Sequence, residues 1–325
     1  MKKMTRRAML GGAAGFGAAT LLAACGAPTS RSASSAADAP KRVIALSTGH
    51  LDHCLALGIV PVGLAVAVSQ ATDSRGIPAY IQDAFGSRYD LDAITIVGER
   101  MTPDMEKVAA LKPDLILSNK RNTKQLNNSL AQITKTVLTS GGSENFKSDL
   151  KVVADALRKG AQGDELLAGY ERRAHDWGAA RGSADTVSLV RGKGSEYLYF
   201  GTLALASIVA ADAGLTRPLS QRFDDTAGHS LSFERTDLLD ADWLFYAFPG
   251  DSSGITSKDV WKQLPTVRRG HAFEVDVDPW FINASVVAAD RVLADMKKFM
   301  SAAPITPARG TPSTQLSNTP RPRRP

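Results

Sequence analysis

The chain has 325 residues, with 39 Lys and Arg against 33 Asp and Glu, for a formal net charge of +6. Residues 1–24 carry four basic side chains and no acid, and residues 303–325 do the same, so the body between them sums to 6 − 8 = −2. A mildly acidic body excludes a basic nucleic-acid-binding domain. A content of 43% hydrophobic and 22% charged residues excludes a disordered or membrane-embedded chain, and two cysteines exclude a disulfide scaffold.

At the N-terminus, Thr5-Arg6-Arg7-Ala8-Met9-Leu10 sets two arginines ahead of an apolar run from Ala8 to Ala24. It resembles a twin-arginine export signal, with Met9 where Phe is more usual and Gly11 where Lys is. The run is Gly- and Ala-rich and too short for a membrane span. It ends in Leu22-Ala23-Ala24-Cys25-Gly26, which resembles a bacterial lipobox. Residues 1–24 are therefore expected to be a signal peptide, by the twin-arginine or the general route, and Cys25 a lipidation site anchoring the chain to the outside of the cell membrane. Cys54, in His53-Cys54-Leu55-Ala56-Leu57, is expected to be a buried structural thiol. Residues 25–40 form a low-complexity tether. Residues 303–325 hold six prolines and no apolar periodicity, so they are expected to form a disordered tail.

The folded part spans 41–302. Strands are expected at Arg42–Leu46, Val62–Val66, Thr95–Val97, Asp114–Leu117 and Thr136–Leu138, with helices at 50–57, 77–85, 103–111, 122–133 and 146–159. A second series runs through Val187–Val190, Tyr197–Phe200, Trp243–Tyr246 and Ala272–Val275 and closes with a helix from Asn283 to Met300. Strand-then-helix alternation predicts mostly parallel sheets covered on both faces. The segment 163–182, with Leu166, Leu167, Tyr170 and Trp177 in a polar background, is expected to be one long linking helix. The fold class is thus α/β: two Rossmann-like lobes, 41–162 and 183–302, joined by one long α-helix. A ligand cleft lies between them, beyond the carboxyl ends of the strands. A helical link is stiff, so little hinge motion is expected.

Three separated stretches carry a specific resemblance. They are Val97-Gly98-Glu99-Arg100-Met101-Thr102-Pro103-Asp104-Met105-Glu106 running on to Leu117; Ser232-Phe233-Glu234-Arg235 with Asp240-Ala241-Asp242-Trp243; and Trp261-Lys262-Gln263-Leu264-Pro265 leading to Asp278-Pro279-Trp280. In order, they resemble the ferric-siderophore substrate-binding lipoproteins of ABC importers, of the helical-backbone class and in particular those of actinobacteria. The resemblance implies capture of a ferric siderophore, no cofactor, no catalysis, an ABC permease partner and a monomer. It also implies that Glu106 and Glu234, each near a helix start at Thr102-Pro103 or Ser232, dock on basic residues of the permease. Arg100 matches an arginine that reaches the chelate in hydroxamate-type relatives, and a guanidinium suits an oxygen-rich anionic shell. Arg191, at the end of the first strand of the second lobe, is expected to face it across the cleft. Tyr199 and Trp280 are candidate aromatic walls, and Asn119 and Arg121 further candidate ligand contacts. An aromatic residue that many relatives carry ahead of the second Ser-x-Glu motif is replaced here by Asp225-Thr226-Ala227-Gly228-His229, which leaves the chelate class open.

The alternatives are a haem or bare-metal receptor of the same fold, or a surface binding or signalling protein without a permease. Five histidines are present; His50 and His53 could share a helix face, and His50 reads as a helix-start or cleft polar residue. Gly192-Lys193-Gly194-Ser195 lacks the upstream glycine of a phosphate loop, and Gly228-His229-Ser230 is no nucleophile elbow, so no enzyme and no metal site is expected.

Overall fold

The computed structural model describes residues 39–67 and 75–302. The export segment, the lipobox with Cys25 and the proline-rich tail lie outside them.

The first sheet is built from β1 (Val43–Ala45), β2 (Gly63–Val66), β3 (Thr95–Glu99), β4 (Thr102–Pro103), β5 (Leu115–Asn119) and β6 (Thr136–Thr139), in the order β4-β3-β2-β1-β5-β6. Every pairing but the short β3–β4 hairpin is parallel. The central strands β1 and β5 are buried on both faces, as their unbroken apolar runs require. Helices α1 (Thr48–Ala56), α2 (Ala79–Phe85), α3 (Met105–Ala110) and α4 (Lys124–Ile133) make the crossovers, and α5 (Phe146–Ala156) follows β6. Hydroxyl caps start two of them: Ser47 Oγ accepts from the amide of His50, and Thr123 Oγ1 from that of Leu126. The structure corrects one expected helix start. Thr102-Pro103 forms β4, and α3 begins at Met105, capped by Asp104, whose carboxylate accepts from the amides of Glu106 and Lys107 at 3.1 Å each.

The second sheet contains β7 (Val187–Lys193), β8 (Glu196–Phe200), β9 (Gly228–Ser232), β10 (Trp243–Ala247) and β11 (Ala272–Glu274), in the order β11-β10-β7-β8-β9. Strands β11, β10 and β7 are parallel, whereas β7, β8 and β9 form an antiparallel meander. The meander includes β9, whose polar sequence hid it from the strand pattern. Helix α7 (Leu205–Asp212) was equally unforeseen.

Between the sheets runs α6 (Gly160–Arg181), three residues longer at its start than the sequence pattern indicated. Its buried residues Gly163, Leu167, Tyr170 and Ala174 fall on one stripe at helical spacing. Two glycines set how closely it lies on each lobe. A Cβ at Gly163 would sit 2.5 Å from Ala154 Cβ in α5, and one at Gly178 would sit 2.2 Å from the carbonyl oxygen of Ala213, just after α7. Helices α8 (Ser252–Thr256), α9 (Asp259–Lys262) and α10 (Pro265–Arg268) lie between β10 and β11, and α11 (Val286–Ala302) closes the chain. Helix α11 packs on α6 and α7 and also on α1 and α5 of the first lobe, so it is a second element shared by both lobes.

The start of α11 is stitched to α1. Thr48 Oγ1 donates to Asn283 Oδ1, Ser285 Oγ donates to Asp52 Oδ2, and a Cβ on Gly49 would lie 3.0 Å from the carbonyl oxygen of Ala284. No helix among the described residues is long and apolar enough to cross a membrane.

Ala is favoured over Gly by about 1 kcal/mol within a helix. With α6 seated against the Ala213 carbonyl, Gly178→Ala instead destabilises the protein by about 1–3 kcal/mol through overpacking. Urea unfolding checks this; a neutral or stabilising effect would mean that α6 does not seat on the second lobe.

Candidate functional site

The carboxyl ends of the parallel strands of both sheets open onto two adjoining cavities. The first, about 420 Å³, is lined largely by the first lobe: by the turns after β1, β3, β5 and β6, with Ala227 and the 282–284 segment opposite. The second, about 440 Å³, lies wholly in the second lobe. Ile282 lines both, and its side chain is among the exposed large apolar ones.

Of the expected ligand contacts, Arg100, Asn119 and Arg121 come together in the first cavity, and Arg191 lines the second. Arg100 leaves the sheet just after β3, where its amide donates to Val66 O at 2.9 Å. The side chain of Asn119 shapes the next turn by accepting from the Arg121 amide at 2.9 Å. Arg100, Arg121 and Arg191 have no carboxylate partner among the described residues. Arg191 is half-buried, its Nε lies buried without an acceptor, and desolvation holds its guanidinium below the usual arginine range. Arg217 differs in its terminal nitrogens: its Nε is also buried without an acceptor, but its two amino groups donate to the carbonyl oxygens of Val187 and Phe200 and to Gln221 Oε1. A half-buried cation without acceptors is costly, and an anionic ligand supplies what is missing.

Two expectations are corrected. Trp280 is fully buried: it packs 4.7 Å from Phe245, and its Nε1 donates to Asp295 Oδ2 at 3.1 Å. It is a core residue, because the π-type turn 278–282 folds the indole inward, beneath the cleft. Tyr199 lines neither cavity; its ring packs edge-to-face on Phe223 at 5.3 Å, next to His229. No Phe, Tyr or Trp ring lines the first cavity among the described residues.

The floor of the first cavity holds residues that the motif reading did not select as ligand contacts: His50, His53, Asn122 and Thr139. The spacing of three between the histidines was the available signal. His50 Nε2 lies 2.9 Å from Thr139 Oγ1, whose hydroxyl donates to Ser118 O, so Nε2 carries the imidazole proton. Burial, then the nearby Arg100 charge, pulls the His50 pKa down to about 4; burial, then His50, pulls His53 to about 3. Both rings are neutral at neutral pH. Behind them, burial raises the Asp52 carboxyl to about 7, against the hydrogen bonds from Ser285 and from Tyr80 at 2.6 Å. Asp149 is occupied by the amides of Ser140 and Gly141, each at 2.8 Å. Among the described residues, no three His, Cys, Asp or Glu side chains are grouped to hold a metal ion. Cys54 is a buried free thiol, its pKa raised by burial.

Glu106 and Glu234 are both exposed, each within the first turn of its helix and without an ionic partner among the described residues. Ser232 caps the second of these helices by accepting from the Glu234 amide at 3.3 Å, as the sequence indicated.

The buried titrations have opposite signs. His50 and His53, depressed when folded, bind protons more readily when unfolded, so stability falls as pH drops from about 6.5 towards 4. Asp52, raised when folded, opposes this by losing stability as pH rises from 3.8 to about 7. Two imidazoles outweigh one carboxyl, so the folded state is expected to weaken by a few kcal/mol (order of magnitude) between pH 7 and pH 4.5. His53→Gln should flatten that slope whatever it does to absolute stability. Melting curves across this range check it, and an unchanged slope would contradict the buried, neutral state of His53.

A model described as "Periplasmic binding protein" matches residues 43–279. A probable siderophore-binding lipoprotein of Bacillus subtilis, YfiY, is 30% identical over 279 residues, covering 80% of this chain and 82% of that protein. The Fe(3+)-citrate-binding protein YfmC of the same organism is 26% identical, covering 80% of each chain. Among solved structures, Staphylococcus aureus SirA complexed with staphyloferrin B aligns with a TM-score of 0.69 at 24% identity, covering 81% of this chain and 93% of SirA. That likeness concerns the fold, and it is the same two-lobed α/β architecture. With the family model spanning both lobes and the cleft between them, the chain belongs to the periplasmic binding protein family.

Proposed function

We propose that this protein is an extracytoplasmic receptor that captures a ferric siderophore in its cleft and delivers it to an ABC permease. The observation that carries the reading is the set of three arginines, Arg100 and Arg121 on one bank and Arg191 on the other, without carboxylate partners among the described residues, in the cleft of a periplasmic binding protein. Relatives named for siderophore and ferric citrate binding support the choice of cargo. An iron chelate arrives with its metal already wrapped in oxygen, so the protein needs donors to chelate oxygens rather than ligands to iron. Guanidinium groups and the Asn119 amide supply such donors. The reaction is binding and release without turnover.

Delivery rests on Glu106 and Glu234, one exposed carboxylate on each lobe, available to basic residues of a permease. Cys25 would hold the chain to the membrane as a lipid anchor, with the protein acting as a monomer.

One experiment separates capture from delivery. Intrinsic fluorescence titration with ferric chelates and radioiron uptake in cells are measured on the wild type and two variants. Arg100→Ala should weaken chelate binding at least about tenfold and lower uptake with it. Glu106→Lys/Glu234→Lys should leave chelate affinity unchanged and abolish uptake. Uptake surviving the double substitution would sink the docking assignment, and no quenching by any ferric chelate would sink the receptor reading.

A further inference from the structure

The second cavity is chemically unlike the first. Beyond the ends of β7, β10 and β11, Phe248, Pro249, Ile255, Val277 and Ile282 supply half of its ten lining residues. Arg191 stands among them, half-buried and without an acceptor. The first cavity is polar, with the Arg100 and Arg121 guanidiniums and the Asn119 and Asn122 amides, and Ile282 is the residue common to the two. A symmetric, wholly polar chelate would fill the first cavity and leave apolar walls in water.

We infer that the natural cargo is an amphiphilic ferric chelate: its oxygen-rich core sits in the first cavity, and an aliphatic acyl arm passes Ile282 into the apolar recess of the second lobe, where Arg191 receives an oxygen of the arm. This rests on the receptor reading and deepens it. Three observations fix the occupant as part of the chelate rather than a separate lipid. The recess adjoins the ligand cleft, the two sharing Ile282 in their linings. The buried Nε of Arg191 lacks an acceptor and calls for an oxygen, whereas the exposed Lys193 of the same lining donates to Ser230 Oγ and the lining's carboxylate, Asp251, is exposed. The recess's apolar walls call for methylene groups, two of which contribute about tenfold in affinity when buried.

Gly192 makes the inference testable without touching the first cavity. A Cβ there would lie 3.4 Å from Phe248 Cδ1 and 3.8 Å from Ile255 Cδ1, so the Cβ of Gly192→Leu sits at contact distance among recess residues and the rest of the side chain takes up recess space. The probes are ferric complexes of a citrate-derived dihydroxamate acylated with acetyl or with hexanoyl groups, which share one chelating core. Calorimetry on the full chain should show the hexanoyl complex binding at least about tenfold tighter than the acetyl one. In Gly192→Leu that advantage should vanish while acetyl-complex affinity holds. Equal affinities in the wild type, or an advantage that survives Gly192→Leu with an unchanged melting temperature, would overturn the inference while the receptor reading stands. Binding of sodium hexanoate by itself, with no effect on chelate affinity, would make the recess a separate site and overturn it too. Failure of both complexes to bind would overturn the inference, and the receptor reading falls with it only where no other ferric chelate binds either.

Discussion

The cleft exists because α6 lies close against both lobes, and two absent Cβ atoms permit that closeness. At Gly163 and Gly178 any side chain would collide with α5 or with the end of α7. The seam at the cleft floor adds a second constraint. Thr48 with Asn283, Asp52 with Ser285, and Gly49 against the Ala284 carbonyl join the first lobe to the start of α11. Opening the lobes by rotation about α6 would break buried hydrogen bonds, and each buried group left unmatched costs about 1–3 kcal/mol. The cleft is thus preformed, and Asn283 and Ala284 of the seam are themselves part of its lining.

On that fixed frame the electrostatics are arranged by solvation. Arg217 is buried with three oxygen acceptors and plays a structural part, whereas the cleft arginines have no carboxylate partner among the described residues. Beneath Arg100 the buried imidazoles of His50 and His53 stay neutral, so the floor adds polarity without competing charge. Burial and the field of Arg100 act in the same direction at His50, which ties the state of the floor to the charge at the rim.

Much of this was legible in the sequence. Apolar runs such as Val43–Leu46 and Leu115–Leu117 read as central strands, and the turn after the second carries Asn119 and Arg121; Arg100 was legible from its place after the strand Thr95–Val97 together with the family resemblance. The reading failed where tertiary packing decides. Trp280 follows the last strand, as a cleft residue would, but the turn from Asp278 to Ile282 folds its indole onto Phe245 and into the core. Tyr199 has the alternation of a strand, but alternation does not say which face meets the ligand, and Phe223 claims its ring. Strand β9 is too polar to declare itself and is held by pairing with β8. The floor histidines were visible as a spaced pair, yet their burial depends on α5 and α11, which are distant in sequence.

The most direct measurement is a crystal structure of the protein with a ferric chelate, with the iron located by its anomalous scattering. The account expects the iron in the cleft on the first-lobe side of Ile282, with chelate oxygens hydrogen-bonded to Arg100 and Arg121 and no protein atom in the coordination sphere. Iron bound directly by His50 or His53, or a chelate seated outside the cleft with all three arginines still bare, would contradict it.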